Sequence, residues 1–260
     1  MRDRKLSEKD IRGLKIIGGS VAALVVFGVV AYFLSSGKPV LDELTLCPTS
    51  GEKVRFAVLV DKSDKWGRGD VARVKDILQS IYRDVPTQGR LTIYSIMGDG
   101  RKSTDVNLVF DACNPGSEAE CHALYSNCRK VKRDYKRAFE APLQQLEASL
   151  MLPGESSNSP ILETIGAMVK DNKGEVLKLH VISDFMENHI TFRFYDVVPL
   201  DDEMIAAYPL PKKAKITVEG YFIQRRMHSM PLQNAVQAAW TGYFQKQGIP
   251  VTFRPVFTTD

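Results

Sequence analysis

Histidine and cysteine are both scarce in this chain, four of each among 260 residues. Neither falls in a pattern that metal chemistry needs: there is no C-x-x-C, and His122, His180, His189 and His228 lack metal-ligand spacing. Also missing are a G-x-x-x-x-G-K-S/T phosphate loop, a G-x-S-x-G nucleophile elbow and an Asp-x-Asp at the end of any strand-like run. The common nucleotide-binding and hydrolase signatures are therefore absent, and so is any internal repeat. His180 lies inside an apolar run and reads as a packed core residue, which leaves His189 as the one histidine near the acids considered below.

Charge is missing altogether from Ile16 to Ser36, IIGGSVAALVVFGVVAYFLSS. About 20 apolar residues at roughly 1.5 Å each span a hydrocarbon core, so this run is expected to be a transmembrane helix. A cleaved signal peptide and a buried core helix are the other readings. The run is longer than a usual signal core, and no clear A-x-A pattern follows it. Arg2, Arg4, Lys5, Lys9, Arg12 and Lys15 precede it and only Lys38 follows closely, which predicts a cytoplasmic N-terminus and a periplasmic or extracellular remainder, anchored in the inner or plasma membrane by a single pass. Gly18/Ala22 and Gly19/Ala23 give the small-xxx-small spacing through which such helices associate, a route to homo-oligomers and also a spacing common by chance.

A one-sided charge is missing from the rest. The first fifteen residues hold six Lys/Arg and three Asp/Glu, so the remainder carries 29 basic and 28 acidic residues. Nucleic acid has no bulk electrostatic support as a partner. The run Arg129, Lys130, Lys132, Arg133, Lys136 and Arg137 reads as the solvated face of a helix.

What is present is alternation. The expected organisation is a basic tail over 1–15, the membrane helix over 16–36, a stalk over 37–52 and one α/β domain over 53–260. Strands are predicted over 53–60, 90–97, 107–112, 176–182, 216–223 and 251–256. Gly98-Asp99-Gly100 joins the second and third closely, favouring an antiparallel pair. Helices are predicted from an Asp70 cap, over 130–150 with Pro142 as a kink, from a Ser159 cap with Pro160 following, and over 231–247 closed by Gly248. Such alternation implies a doubly wound, mostly parallel six-stranded sheet, which binds ligands beyond the carboxyl ends of its strands. Two acidic clusters fall there: Asp61-Lys62-Ser63-Asp64 and Ser183-Asp184.

On these residues the chain resembles a von Willebrand factor A-like domain, over roughly Lys53 to Val256. In that family the first strand ends in Asp-x-Ser-x-Ser and the fourth commonly in Asp. The wider pattern, DKSD, CNPG (Cys113 to Gly116), SPILETI (Ser159 to Ile165) and ISDFMEN (Ile182 to Asn188), is similar to poorly characterised bacterial membrane or exported proteins of this fold. The resemblance implies a divalent cation, Mg²⁺ or Mn²⁺, held by Asp61, Ser63, Ser159 and Asp184, with Asp64, Lys65 and Ser183 facing a protein partner. Lys65 departs from the pattern: it replaces the second serine, removes an oxygen ligand and could place an ammonium where the cation would sit, which makes the site degenerate. Without the resemblance, Ser159 reads as a helix cap, Asp61 and Asp184 as loop acids accepting backbone N–H bonds, and Ser63 as a turn residue.

The implied function is a non-enzymatic, membrane-anchored interaction module for an unidentified protein partner, within an envelope, mobile-element or defence assembly. The alternative is a metal-dependent phosphoester hydrolase using Asp61 and Asp184. All four cysteines fall on the oxidising side and are expected to form disulfides. Three pairings are open. An antiparallel third strand would bring its end at Cys113 to the sheet edge holding Cys47, which favours Cys47–Cys113 with Cys121–Cys128.

Overall fold

The computed structural model describes residues 8–36, 40–52, 54–64, 66–96, 106–116, 121, 127–150, 158–172, 176–189, 191–211 and 215–256. Expectations for the start of the basic tail, residues 37–39 of the stalk, Lys53, Lys65, Met97, the Gly98-Asp99-Gly100 join, His122 and residues 257–260 lie outside the described residues.

The first element is a helix of 29 residues, α1 (Glu8–Ser36). Ile17, Leu24, Phe27, Val30 and Tyr32 are all exposed, so among the described residues the exposed apolar positions of α1 are not confined to one face. Among the described residues no helix is long and apolar enough to cross a membrane. The unbroken run of described side chains in α1, Ile17 to Tyr32, amounts to about 24 Å of helix against the ~30 Å of a hydrocarbon core.

The domain then winds through β1 (Val54–Asp61), α2 (Arg68–Asp84), β2 (Arg90–Ile96), β3 (Val106–Cys113), α3 (Cys128–Tyr135), α4 (Ala141–Leu150), α5 (Ile161–Lys170), β4 (Val176–Ser183), α6 (Asp201–Ala207), β5 (Lys215–Ile223), α7 (Met230–Lys246) and β6 (Val251–Val256). The sheet has six strands in the order β3-β2-β1-β4-β5-β6. Every neighbouring pair is parallel except β2 with β3. The expected six-stranded, mostly parallel α/β sheet with an antiparallel third strand is thus what forms.

Side chains alternate across a strand, so β1 feeds two cores. Ala57 and Leu59 pack toward α5 and α7, with Ile161, Ile165, Trp240, Tyr243 and Phe244. Phe56, Val58 and Val60 pack on the other face with Val74, Leu78, Ile81 and Phe139. A strand buried on both faces has no polar alternation, which is why VRFAVLV reads as a continuous apolar run.

Local differences from expectation have identifiable causes. Asp70 is not the N-cap of α2: Gly67 is, and Asp70 at the third helical position accepts its N–H at 2.9 Å. The single helix expected over 130–150 is α3 and α4 joined by a π-helical turn, Lys136–Glu140. Pro142 has no N–H and crowds the preceding turn, and the wider turn just before it relieves that crowding. The seven-residue α6, which opens on Asp201-Asp202-Glu203, is too short to show a periodic apolar stripe in the sequence.

Both expected disulfides form, Cys47–Cys113 and Cys121–Cys128. They fit an oxidising, extracytoplasmic compartment.

His180 is the core residue its apolar surroundings suggest. It stacks on Phe56 and lies near Tyr221, with neither ring nitrogen hydrogen-bonded. Burial lowers its pKa to about 4, overriding the opposing pull of Glu219 at 3.7 Å. The unfolded chain therefore takes up a proton that the folded one refuses as pH falls from about 6.5 to about 4, and stability drains over that window. His180→Phe is expected to flatten the loss by roughly 2–3 kcal/mol between pH 7 and pH 4, read from urea unfolding at both values. An unchanged pH slope would show that His180 does not titrate in this way.

Candidate functional site

The sheet order reverses direction around β1: β2 lies to one side and β4 to the other. The carboxyl ends of β1 and β4 open the crevice where doubly wound sheets bind ligands. Asp61 ends β1, and Ser183 ends β4 with Asp184 next in the chain.

Asp61 is 3% exposed and is the hub. Its Oδ1 accepts from the Ser63 N–H at 3.0 Å and the Ser63 hydroxyl at 2.7 Å. Its Oδ2 accepts from the Ser159 hydroxyl at 3.0 Å and the Ser183 hydroxyl at 2.7 Å. A carboxylate has about four lone-pair sites, and all are taken. Three loops far apart in sequence are tied together through one side chain.

Ser159 is therefore not a helix cap. Its backbone pairs with Asn188 in an isolated bridge, which turns its hydroxyl toward Asp61. The first turn of α5 is capped instead by Glu187, whose Oε2 accepts the Leu162 N–H at 2.9 Å. Burial pushes the Glu187 carboxyl well above the usual carboxylate range. Ser183, expected to face a partner, is 1% exposed and looks inward. It also accepts the Phe185 N–H at 2.7 Å.

Phe185 adopts a φ of 59°, a left-handed conformation that a bulky residue enters at a cost of about 1–2 kcal/mol. Packing against Phe222, Trp240 and Phe253, together with the Trp240 indole donating to its carbonyl, holds it there. The turn brings Asp184 back over the strand end, where its Oδ1 accepts the Met186 N–H at 3.0 Å.

Asp184 Oδ2 faces Arg225 Nε at 3.2 Å, and Arg225 Nη1 lies 3.4 Å from Asp70 Oδ2. Burial and then the charge of Asp61 push the Asp184 carboxyl up, while Arg225 pulls it back. Asp64 is half-buried and receives the Tyr195 hydroxyl at 3.5 Å. His189 is turned away toward Glu163 and Tyr208. Arg225, Asp70 and Glu187 were not singled out from the sequence as members of this site. Each lies in a loop or a first helical turn, with no spacing that marks it as a member of the site.

The residues fit a divalent cation poorly. Asp61 has no lone pair to spare and Asp184 already faces a guanidinium. Among the described residues, no three His, Cys, Asp or Glu side chains gather as a metal cage.

No family model matches the chain, and no curated protein matches it. Among solved structures, the chain is similar to conserved hypothetical protein BatB from Bacteroides thetaiotaomicron, at 13% identity over 80% of this chain and 92% of that one, with a TM-score of 0.35. It is also similar to human COPII-coat protein Sec24c, at 10% identity over 80% of this chain and 30% of that one, TM-score 0.41. A third is the PilB minor pilin of Streptococcus sanguinis, at 7% identity over 80% and 58%, TM-score 0.41. Likenesses this distant say nothing about activity or partners.

Proposed function

We propose that the chain is a membrane-anchored, extracytoplasmic protein-interaction module of von Willebrand factor A-like design, binding its partner through the loops beyond β1, β4 and β5. The observation that carries this reading is the saturation of Asp61: a carboxylate accepting four hydrogen bonds is built to hold three loops in place rather than to ligate a metal. The hydrolase alternative draws no support from such a group. Around this fixed centre Tyr195 and Met227 in the loops and Met230 at the start of α7 are exposed, residue types enriched where protein interfaces bury surface. The uncharged run from Ile16 to Ser36 and the two disulfides support anchoring with the domain on the oxidising side.

The test uses the full chain in native membranes, washed with alkaline carbonate and then treated with a short amine-reactive crosslinker. The chain should stay in the pellet and form a discrete adduct that the Tyr195→Ala/Met227→Ala variant loses without a change in thermal unfolding. Loss at the wash would overturn the anchor. An adduct indifferent to both substitutions would overturn this face as the interface.

A further inference from the structure

The acid that the resemblance would assign to a divalent ion already has a cation of the chain's own. Arg225 places one guanidinium between Asp184, in the turn after β4, and Asp70, in the first turn of α2. Its side chain is 11% exposed, and those of Asp184 and Asp70 are 6% and 10%. The backbone that carries it is fixed as well. The Arg225 N–H donates to Gln233 Oε1, and the Arg225 and His228 carbonyls both accept from Gln233 Nε2, which locks the loop after β5 onto α7.

A guanidinium is always charged and presents several donors in one plane, so it can bridge two acids without water ligands or open lone pairs. A divalent ion needs those lone pairs, and Asp61 has none left.

We propose that Arg225 is a built-in cation that takes over the structural role of a divalent ion here, so that the binding face is organised without metal. Its removal leaves Asp184 and Asp70 as an uncompensated acidic pair that accepts an added divalent ion. This inference concerns how the face is held together and stands whether or not the partner reading does.

The experiment titrates Mn²⁺ alone into the full chain in detergent, followed by electron paramagnetic resonance and thermal unfolding. Wild type should bind no Mn²⁺ saturably and unfold at the same temperature in chelator. Arg225→Ala should unfold several degrees lower in chelator, bind Mn²⁺ saturably and recover part of the lost temperature. Arg225→Ala/Asp184→Asn should lose that binding. Arg225→Lys, which keeps the charge without the fork, should ignore Mn²⁺. Saturable Mn²⁺ binding by wild type that Asp184→Asn removes would overturn the proposal, and so would a folded Arg225→Ala that takes up no Mn²⁺. If Arg225→Ala fails to fold in chelator, refolding in Mn²⁺ supports the proposal and failure in both conditions overturns it.

Discussion

Asp61→Ala is expected to lower the stability of the domain by about 3–5 kcal/mol, because it strips a buried acceptor from four donors at once. Three of those donors are serine hydroxyls, and Ser63, Ser159 and Ser183 are each 8% exposed or less. Water cannot readily replace what the carboxylate supplied. An orphaned buried donor costs roughly 1–3 kcal/mol, and partial rotation of the hydroxyls brings the total below the simple sum. Asp61→Asn keeps one acceptor oxygen but turns an NH₂ toward two donors, so it should recover only part of the loss. Urea unfolding of the full chain in detergent, followed by tryptophan fluorescence, measures both; the fully buried Trp240 makes that signal sensitive to the loss of packing. A loss under about 1 kcal/mol for the alanine variant would mean that the three loops find other partners.

The second large effect belongs to the sulfur bridges, and it is graded. Cys47–Cys113 closes a loop of 66 residues, against 7 for Cys121–Cys128. In the chain-entropy picture the long loop stabilises by about 4 kcal/mol and the short one by about 2. Cys113→Ser should therefore reduce unfolding free energy roughly twice as much as Cys128→Ser, each measured with its partner also replaced by serine. Equal losses would place the stabilisation in local contacts, such as the Cys113 N–H donating to the Thr45 carbonyl at 2.8 Å, rather than in loop closure.

Much of the fold was legible because burial on both faces leaves a plain mark. VRFAVLV and VLKLHVI have to be interior strands, and the alternation of strands with amphipathic helices leaves few other architectures. Even the pairing of Cys47 with Cys113 followed once β3 was read as running backward. The site was legible only as a set of names. Asp61, Ser63, Ser159 and Asp184 do come to one end of the sheet, but what they do to one another depends on distances that sequence spacing does not encode. Ser159-Pro160 has the composition of a cap and a first helical residue, yet Asn188 pairs with its backbone and Glu187 does the capping. Arg225 sits two residues beyond β5 with no motif around it, and only the tertiary fold puts it beside an acid 41 positions earlier in the chain and another 155 earlier. Phe185 is the same lesson in backbone form: phenylalanine gives no hint of a left-handed turn, which here is imposed by the aromatic packing around it.

The bridge between Cys47 and β3 also sets how tension would travel. Cys113 lies level with Arg90 and Arg55, at the opposite end of the sheet from Asp61, some 20 Å along β1. A pull arriving through the N-terminal segment meets Cys47 before it meets the first residue of β1. It passes through a covalent link into an edge strand, so the segment between Cys47 and β1 is relieved of part of the load. What reaches the polar hub then crosses the sheet from strand to strand instead of entering along β1 alone.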